Sequence, residues 1–90
     1  MKLLNVGYGN MVCCERIICV VSPDAAPIKR MVAQARETGR AIDASCGKRT
    51  RSVIFTDSDH LILSALDVDK INNRLSGKAK DTDDEVEDDE

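Results

Sequence analysis

The pattern of hydrophobic and polar residues predicts a short strand at residues 2–6 and further strand structure at residues 11–21. The second run is rich in β-formers but is interrupted by Glu15 and Arg16. It therefore predicts one bent strand or two short ones, with the charged pair at the bend or on the solvent face. Pro23 ends the run, because proline has no N–H to donate to a strand ladder.

The next segment predicts the main helix of the chain, beginning near Asp24 or Ala25. Ser22 or Asp24 is expected to cap its free N–H groups, and Pro27 fits only in its first turn. Gly39 supplies the positive φ that ends the helix. One apolar face recurs at helical spacing and is expected to pack on a sheet: Ile28, Met31, Val32 and Ala35.

Three more strands and a second, shorter helix are predicted in the rest of the folded part. The strands are expected at residues 41–44, 51–56 and 60–66. The short link 57–59 joins the last two as a hairpin, and the helix runs from about Asp67 to Gly77. The order β-β-α-β-β-β-α predicts an α+β fold with a small, mostly antiparallel sheet, one main helix and a short C-terminal helix.

The composition limits the size and chemistry of the core. Ninety residues make one domain, and Tyr8 and Phe55 are its only aromatic residues. A small core without large aromatic side chains often gains stability by self-association. No apolar run approaches the ~20 residues of a membrane span, and residues 1–10 have no apolar signal-peptide region. We therefore expect a cytoplasmic protein that does not contact a membrane.

Charge is distributed unevenly along the chain. The net charge is −3, but residues 81–90 carry eight of the sixteen acidic residues and no basic one. Residues 1–80 hold all thirteen Lys and Arg against eight Asp and Glu, a net charge of +5. Acidic runs of this kind repel themselves and stay disordered. The sequence predicts a basic folded domain at residues 1–76 and a disordered acidic tail at residues 77–90.

The sequence contains no pattern typical of a metal site. Its four cysteines form no C-x-x-C pair, whereas zinc sites need spaced pairs of ligands. They are Cys13, Cys14, Cys19 and Cys46. We expect small buried thiols and no metal ion.

Catalysis is not expected either. The one histidine, His60, stands next to Asp57, Ser58 and Asp59, and neighbours in sequence rarely converge as a triad. Such a string is typical of side-chain hydrogen bonds in a hairpin turn. We therefore expect no catalytic residue, no cofactor and no small-molecule substrate.

The stretch CGKRTRS (46–52) predicts a phosphate-binding site. It places Lys48, Arg49 and Arg51 within four positions. Like charges at this density cost energy unless an anion relieves them. The alternative is an ordinary solvated turn between two strands. Thr50 can add a neutral hydrogen bond to phosphate, and so can Ser45 before the loop.

Further cations lie outside this loop. Arg16 in the first strand region is a further candidate, and Lys29 and Arg30 on the helix are additional phosphate contacts. Arg36 and Arg40 near the end of the helix are explained by the helix dipole.

A nucleic-acid backbone fits this distribution of charge. Arginine forks match phosphate oxygens, and a basic body gains affinity by releasing counterions. Single-strand binders stack bases on exposed aromatic rings, and Tyr8 is the only candidate for that role. Double-stranded DNA held through its backbone is therefore favoured. The alternative is an RNA-binding or assembly module that uses the same basic surface.

Four stretches in order resemble the RemA family of bacterial biofilm-matrix regulators. They are NVGYGN (5–10), VSPDAAPIKRM (21–31), IDASCGKRTRSVI (42–54) and DSDHLILSAL (57–66). The resemblance covers residues 2–76. It implies a small α+β subunit that assembles into a ring-shaped homo-oligomer, binds DNA and activates transcription of matrix-production operons.

The resemblance also implies roles for particular residues. The DNA-contacting arginines of the family fall on Arg16, Lys48 and Arg49 of this sequence. Lys48 departs from the family, which commonly has arginine there; lysine keeps the charge but loses the bidentate fork. Pro27 matches a functionally sensitive proline and is expected to set the helix start or a subunit contact.

We predict that the acidic tail occupies the phosphate sites as a weak mimic of DNA. Deleting residues 81–90 should then tighten DNA binding at low salt, and the gain should shrink as salt screens both interactions. NMR of the protein without DNA is the deciding measurement. Shifts of the amides of residues 48–51 on truncation support docking, whereas unchanged amides leave the tail only a role in solubility.

Overall fold

The computed structural model describes residues 2–77, which form two sheets and two α-helices. The elements are β1 (Leu3–Asn5), β2 (Met11–Cys13), a 3₁₀ turn (Cys14–Arg16), β3 (Ile17–Val21), α1 (Ala26–Glu37), β4 (Ala41–Asp43), β5 (Ser52–Thr56), β6 (Leu61–Ser64) and α2 (Val68–Leu75). This arrangement confirms the predicted α+β class. Apart from Gly77, the predicted acidic tail lies outside the described residues. Within residues 2–77, neither helix has the length and apolar character needed to cross a membrane.

The larger sheet has four strands in the order β3-β5-β6-β4. β5 pairs antiparallel with both β3 and β6, and β5 and β6 form the predicted hairpin. β4 pairs with β6 in parallel, because α1 returns the chain across the sheet so that β4 runs in the direction of β3. The prediction of a mostly antiparallel sheet is confirmed, with one parallel pair at its edge.

The interrupted apolar run at residues 11–21 forms two strands that belong to different sheets. β2 pairs with β1, and the 3₁₀ turn redirects the chain so that β3 pairs with β5. Glu15 and Arg16 lie in this turn, as predicted. The register of β3 shifts between Ile17 and Cys19, so Ile18 sits at a bulge, where it is 67% exposed.

Both faces of the β5–β6 hairpin are covered, which places the core on either side of it. On one face α1 packs against Val53, Leu61 and Leu63 through Ile28, Val32 and Ala35. On the other face β1, β2 and α2 pack around a second group: Leu4, Val6, Ile54, Ile62, Leu66 and Ile71. All four residues of β6 are buried for this reason. Neighbouring strand residues point to opposite faces, yet Val53 and Ile54 are both 0% exposed.

The helix ends follow the sequence signals except at the start of α1. Pro27 lies in the first turn of α1, and Gly39 has a φ of 77° just after its end, as predicted. The expected side-chain cap is absent: Ala25 is the N-cap residue, without a side-chain hydrogen bond. The Ser22 hydroxyl instead accepts from the Asp24 N–H within the turn before the helix, at 3.2 Å.

Met31 does not belong to the buried face of α1, contrary to the sequence prediction. It is 44% exposed, whereas Ile28, Val32 and Ala35 pack on the sheet. At 3.6 residues per turn, Met31 lies about 60° from the centre of that face. The sheet does not reach far enough around the helix to cover it.

The side chains of Ser64 and Arg74 attach the β1–β2 layer to the rest of the fold. The Ser64 hydroxyl donates to the Val6 carbonyl at 2.7 Å and accepts from the Leu66 N–H at 3.0 Å. The Arg74 guanidinium donates to the Asn5 carbonyl at 2.8 Å, although the Arg74 residue is only 2% exposed. These contacts satisfy buried backbone groups where the hydrophobic layers meet.

We predict that Ser64→Ala lowers the free energy of unfolding by about 1–3 kcal/mol, because it leaves a buried carbonyl and a buried N–H without their partner. Urea denaturation at a fixed protein concentration measures the change. Ser76→Ala is the matched control, because Ser76 is exposed and, among residues 2–77, its hydroxyl bonds only the Asn73 carbonyl. It should change stability by less than about 0.5 kcal/mol. Equal midpoints for the two variants would contradict the prediction.

Candidate functional site

The basic loop, residues 44–51, connects β4 to β5 and is held at both ends. At its start the Asp43 carboxylate accepts from the Ser45 N–H at 2.9 Å and from the Ser45 hydroxyl at 2.6 Å. At its end the Arg51 N–H donates to the Ser64 carbonyl at 2.8 Å. The loop therefore leaves and re-enters the sheet at set positions, even though its tip projects from the surface.

A tight turn shapes the tip of the basic loop. The Lys48 N–H donates to the Ser45 carbonyl at 3.0 Å, and the two residues between have φ values of 57° for Cys46 and 79° for Gly47. Glycine adopts this left-handed region without steric cost, whereas Cys46 carries a Cβ there. The turn leaves Lys48 and Arg49 exposed at the surface.

Ser45 has a structural role, which corrects the sequence prediction that it contacts phosphate. It is 3% exposed, and its hydroxyl donates to Asp43. The hydrogen bond from that hydroxyl is the main cause of the lowered pKa of the Asp43 carboxyl, followed by the bond from the Ser45 N–H. The Arg36 guanidinium lowers the same pKa further. Arg36 on α1 also lines a groove together with Arg49 and Thr50 of the basic loop.

A groove of about 330 Å³ runs between α1 and the basic loop and is called here the cation groove. Its lining comprises Pro23, Asp24, Lys29, Val32, Arg36, Arg49 and Thr50. Three of these side chains are cations and one is a carboxylate, a net charge of +2. Lys29, Arg36 and Arg49 form no ion pair with any carboxylate of residues 2–77.

A second groove of about 360 Å³ lies on the other side of Arg49 and Thr50. It is lined by Arg51 and by carboxylates at the start of α2, Asp67 and Asp69. The Asp67 carboxylate accepts from the Lys70 N–H at 2.8 Å and so caps α2, which begins where the sequence predicted. This groove has charges of both signs and is called the mixed groove, whereas the cation groove is positive.

Arg16 lies at the opposite end of the sheet from the basic loop. Its guanidinium pairs with the Asp57 carboxylate at 3.3 Å, and its carbonyl accepts from the Asp57 N–H at 2.9 Å. Asp57 and Arg51 flank the five residues of β5 at its two ends. At about 3.3 Å per residue, roughly 20 Å separates them along the strand. One subunit therefore does not bring Arg16 to the loop cations.

Arg40 and Arg30 also lie away from the cation groove. Arg40 donates to the Asp59 carboxylate at 3.2 Å and to the Asp59 carbonyl at 3.1 Å. Arg30 lines a separate surface depression with Met31 and Glu37 on the outer side of α1. Of the helix cations that the sequence singled out as phosphate contacts, the structure brings Lys29 to Arg49 but not Arg30.

The hairpin string at residues 57–60 forms a network of turn hydrogen bonds. His60 Nδ1 and the Ser58 hydroxyl lie 2.8 Å apart, and the Thr56 hydroxyl contacts Ser58 at 2.9 Å. Both carboxylates of the string pair with arginines, Asp57 with Arg16 and Asp59 with Arg40. This network matches the turn chemistry expected from the sequence.

None of the four cysteines forms a disulfide, but they are less buried than predicted. Cys13 and Cys14 are half-buried, and Cys19 and Cys46 are exposed. Cys46 is exposed because it lies at the tip of the basic loop, and Cys19 because it lies on the edge strand β3. Among residues 2–77, no three His, Cys, Asp or Glu side chains are grouped in a way that could hold a metal ion.

Sequence reasoning missed Arg36 as a member of the candidate site. The helix dipole was a sufficient explanation for it from sequence alone, yet the structure places it in the cation groove. A signal was present: Arg36 follows Lys29 by seven residues, with Val32 between them, so the two cations share one side of the helix. The position of the loop opposite that side was not readable from the sequence.

Comparison with known proteins adds a family and a set of relatives. Residues 3–75 match the family described as "RemA-like: Extracellular matrix regulatory protein A-like". A protein of Geobacillus thermodenitrificans is 58% identical over 77 residues, which cover 86% of this chain and 88% of the relative. A protein of Clostridium botulinum strain Hall is 51% identical over 83 residues, which cover 92% of this chain and 91% of the relative. A protein of Acetivibrio thermocellus is 51% identical over 90 residues, which cover 100% of this chain and 96% of the relative. The names of these three relatives describe regulatory proteins.

Proposed function

This chain belongs to the RemA-like family of regulatory proteins, and on that premise we propose that it is a DNA-binding transcription regulator without enzymatic activity. Its target is duplex DNA, held through basic side chains as a homo-oligomer, and its output is activation of extracellular-matrix genes of a biofilm. The observation that carries the proposal is the cation groove. Lys29, Arg36 and Arg49 line one concave surface without an ion-pair partner among residues 2–77. Such a surface is stabilised by an anion.

Arg49 is the central contact in this proposal. It lines both the cation groove and the neighbouring mixed groove, together with Thr50. A phosphate bound between the two grooves, at Arg49 and Thr50, is within reach of cations on either side. Lys48 and Arg51 flank these two residues in the loop. The guanidinium fork matches two phosphate oxygens at once. Arg30 is left out of the proposal because it lies on the outer side of α1.

The two aromatic residues favour a duplex over a single strand. Phe55 packs against the α1 side of the core, and Tyr8 is exposed in the turn between β1 and β2. Neither lines the cation groove or the mixed groove, so no aromatic platform lies beside the cations for stacking bases. A ligand bound here is held by its phosphates, which is how proteins fix their position on duplex DNA.

Arg16 supplies the second end of the proposed interface. Its side chain is 63% exposed despite the pair with Asp57, and surface pairs of this kind contribute at most about 1 kcal/mol. A DNA phosphate can therefore compete with Asp57 for the guanidinium. Because roughly 20 Å separates the Arg16 end of β5 from the basic loop, the two contacts belong to distant phosphates or to neighbouring subunits.

The proposed ring is supported by the two different edges of the larger sheet. Within residues 2–77, β3 and β4 each pair with one strand only. Ile18 is 67% exposed on β3, and Ile42 is 48% exposed on β4. Joining unlike edges is a head-to-tail contact, which closes into a ring when the rotation between subunits allows it. Repeating a weak phosphate site around a ring makes later contacts intramolecular and raises the overall affinity.

A charge placed on the edge strand β4 tests whether this edge is a subunit contact of the proposed ring. We predict that Ile42→Lys lowers the oligomer mass measured by light scattering after size-exclusion chromatography, because a charge at a subunit contact must be desolvated. Leu3→Lys is the matched control, since Leu3 is 43% exposed on the smaller sheet. It should leave the mass unchanged. A wild-type protein that runs as a monomer, or two variants that behave alike, would show that this edge is not the contact.

Loss of Arg49 tests DNA binding. We predict that Arg49→Ala weakens binding to duplex DNA about tenfold or more, because a charge-assisted contact contributes ~1.5–3 kcal/mol. The fold and oligomer should be unaffected, since the side chain lies at the surface. Lys48→Arg should bind as well or better through the restored fork. Fluorescence anisotropy with a labelled duplex measures all of these affinities.

Arg30→Ala is the control for this experiment, because it removes the same charge from the outer side of α1, away from the cation groove. Equal binding by the Arg49 and Arg30 variants would favour the solvated-turn alternative for the loop. A parallel titration with single-stranded RNA addresses the other alternative. Tighter binding of RNA than of duplex DNA would favour an RNA-binding module on the same surface.

A further inference from the structure

We propose that the α1 wall of the cation groove is a second phosphate site, in which Arg36 and Lys29 hold a phosphate of the DNA strand next to the one held at Arg49. This inference rests on the proposed DNA-binding function and extends it from the basic loop to the helix. It assigns a phosphate contact to Arg36, a residue whose presence near the end of the helix the sequence analysis explained by the helix dipole.

Arg36 is not tied to the end of α1 by a hydrogen bond. Two carbonyls in the last turn of α1 have donors from the residues that follow the helix. The Thr38 N–H and hydroxyl donate to the Gln34 carbonyl at 3.1 and 3.0 Å, and the Arg40 N–H donates to the Ala35 carbonyl at 2.8 Å. Arg36 makes no hydrogen bond to these carbonyls. Its side chain lies instead along the groove that Arg49 lines from the loop side.

Nearby carboxylates do not neutralise the helix cations of the groove. Asp43 is near enough for Arg36 to lower its pKa, but the two form no ion pair within 4.0 Å, and the Asp43 oxygen is bonded by Ser45. Asp24 is the one carboxylate in the lining. By contrast, Arg16 and Arg40 at the hairpin end both have a carboxylate within 3.3 Å. The structure thus pairs cations at one end of the subunit and leaves them unpaired in the groove.

The dimensions of the groove fit more than one phosphate. Its volume of about 330 Å³ equals roughly ten waters at ~30 Å³ each. Lys29 and Arg36 lie seven residues apart, which is about 10 Å along the helix axis. Val32 lies between them and supplies an apolar floor. A stretch of sugar and phosphate therefore fits between the helix and the loop, with its charges facing cations on both walls.

The salt dependence of binding distinguishes a phosphate contact from a general loss of positive charge. Each neutralised phosphate of duplex DNA contributes about 0.9 to the slope of log K against log salt. We expect Arg36→Ala and Lys29→Ala to flatten that slope by up to about 0.9 for every subunit in contact with the duplex, to the same extent for unrelated duplex sequences. Arg36→Lys should restore part of the slope, because it keeps the charge and loses the fork.

Arg30→Ala is the matched control for Arg36→Ala. Both arginines are exposed on α1, and at 3.6 residues per turn they lie about 120° apart around the helix. Removing either lowers the net charge by one, so any long-range effect on binding is shared. Only the variant that loses a phosphate contact should flatten the slope. Circular dichroism and light scattering confirm that each variant keeps its fold and its oligomeric state.

The outcomes separate this inference from the function on which it rests. If Arg49→Ala loses binding while Arg36→Ala and Arg30→Ala give the same slope as wild type, the DNA-binding function stands and the helix site is wrong. If wild-type protein shows no salt-dependent binding to duplex DNA, the proposed function itself is wrong. If Arg36→Gln flattens the slope as much as Arg36→Ala while Arg30→Ala does not, the helix site is supported.

Discussion

Burial of the β5–β6 hairpin on both faces is the constraint on which the rest of this structure depends. With only two aromatic residues in the chain, the core is built from small aliphatic side chains, and one covered face would bury too little. α1 covers one face, and β1, β2 and α2 cover the other. Every other element is placed by its contact with this hairpin. Because the basic loop enters β5 directly, the hairpin also sets the position of the candidate site.

The same arrangement gives the two ends of the subunit different electrostatic character. At the hairpin tip, Asp57 and Asp59 each hold an arginine that comes from another part of the chain. At the other end, α1 lies beside the basic loop, so cations from two separate segments face one groove. The net charge of the whole chain, −3, hides this contrast. Within residues 2–77, Lys29, Arg36 and Arg49 of the cation groove form no ion pair, whereas the hairpin-tip arginines Arg16 and Arg40 each do.

The polar contacts between the layers show why this small fold can hold such a site in place. Ser64 and Arg74 satisfy backbone carbonyls of the first strand region from positions about 60 to 70 residues later in the chain. The Ser64 carbonyl also accepts from the Arg51 N–H at the end of the basic loop. One buried residue thus links the outer two-stranded sheet to the segment that carries the candidate phosphate contacts. Stability of the layers and geometry of the loop are coupled through it.

Sequence alone determined the features that depend on neighbouring residues. The hairpin turn, the C-terminal ends of both helices, the place of Asp67 at the start of α2 and the density of charge in the basic loop are local, because the groups that interact lie within a few positions of each other. Tertiary structure decided the rest: the parallel pairing of β4, the exposure of Met31, the burial of Ser45, the pairing of Arg16 with Asp57 and the place of Arg36 in the groove. Each of these depends on which distant segment packs alongside, and the periodicity of one segment contains no information about that partner.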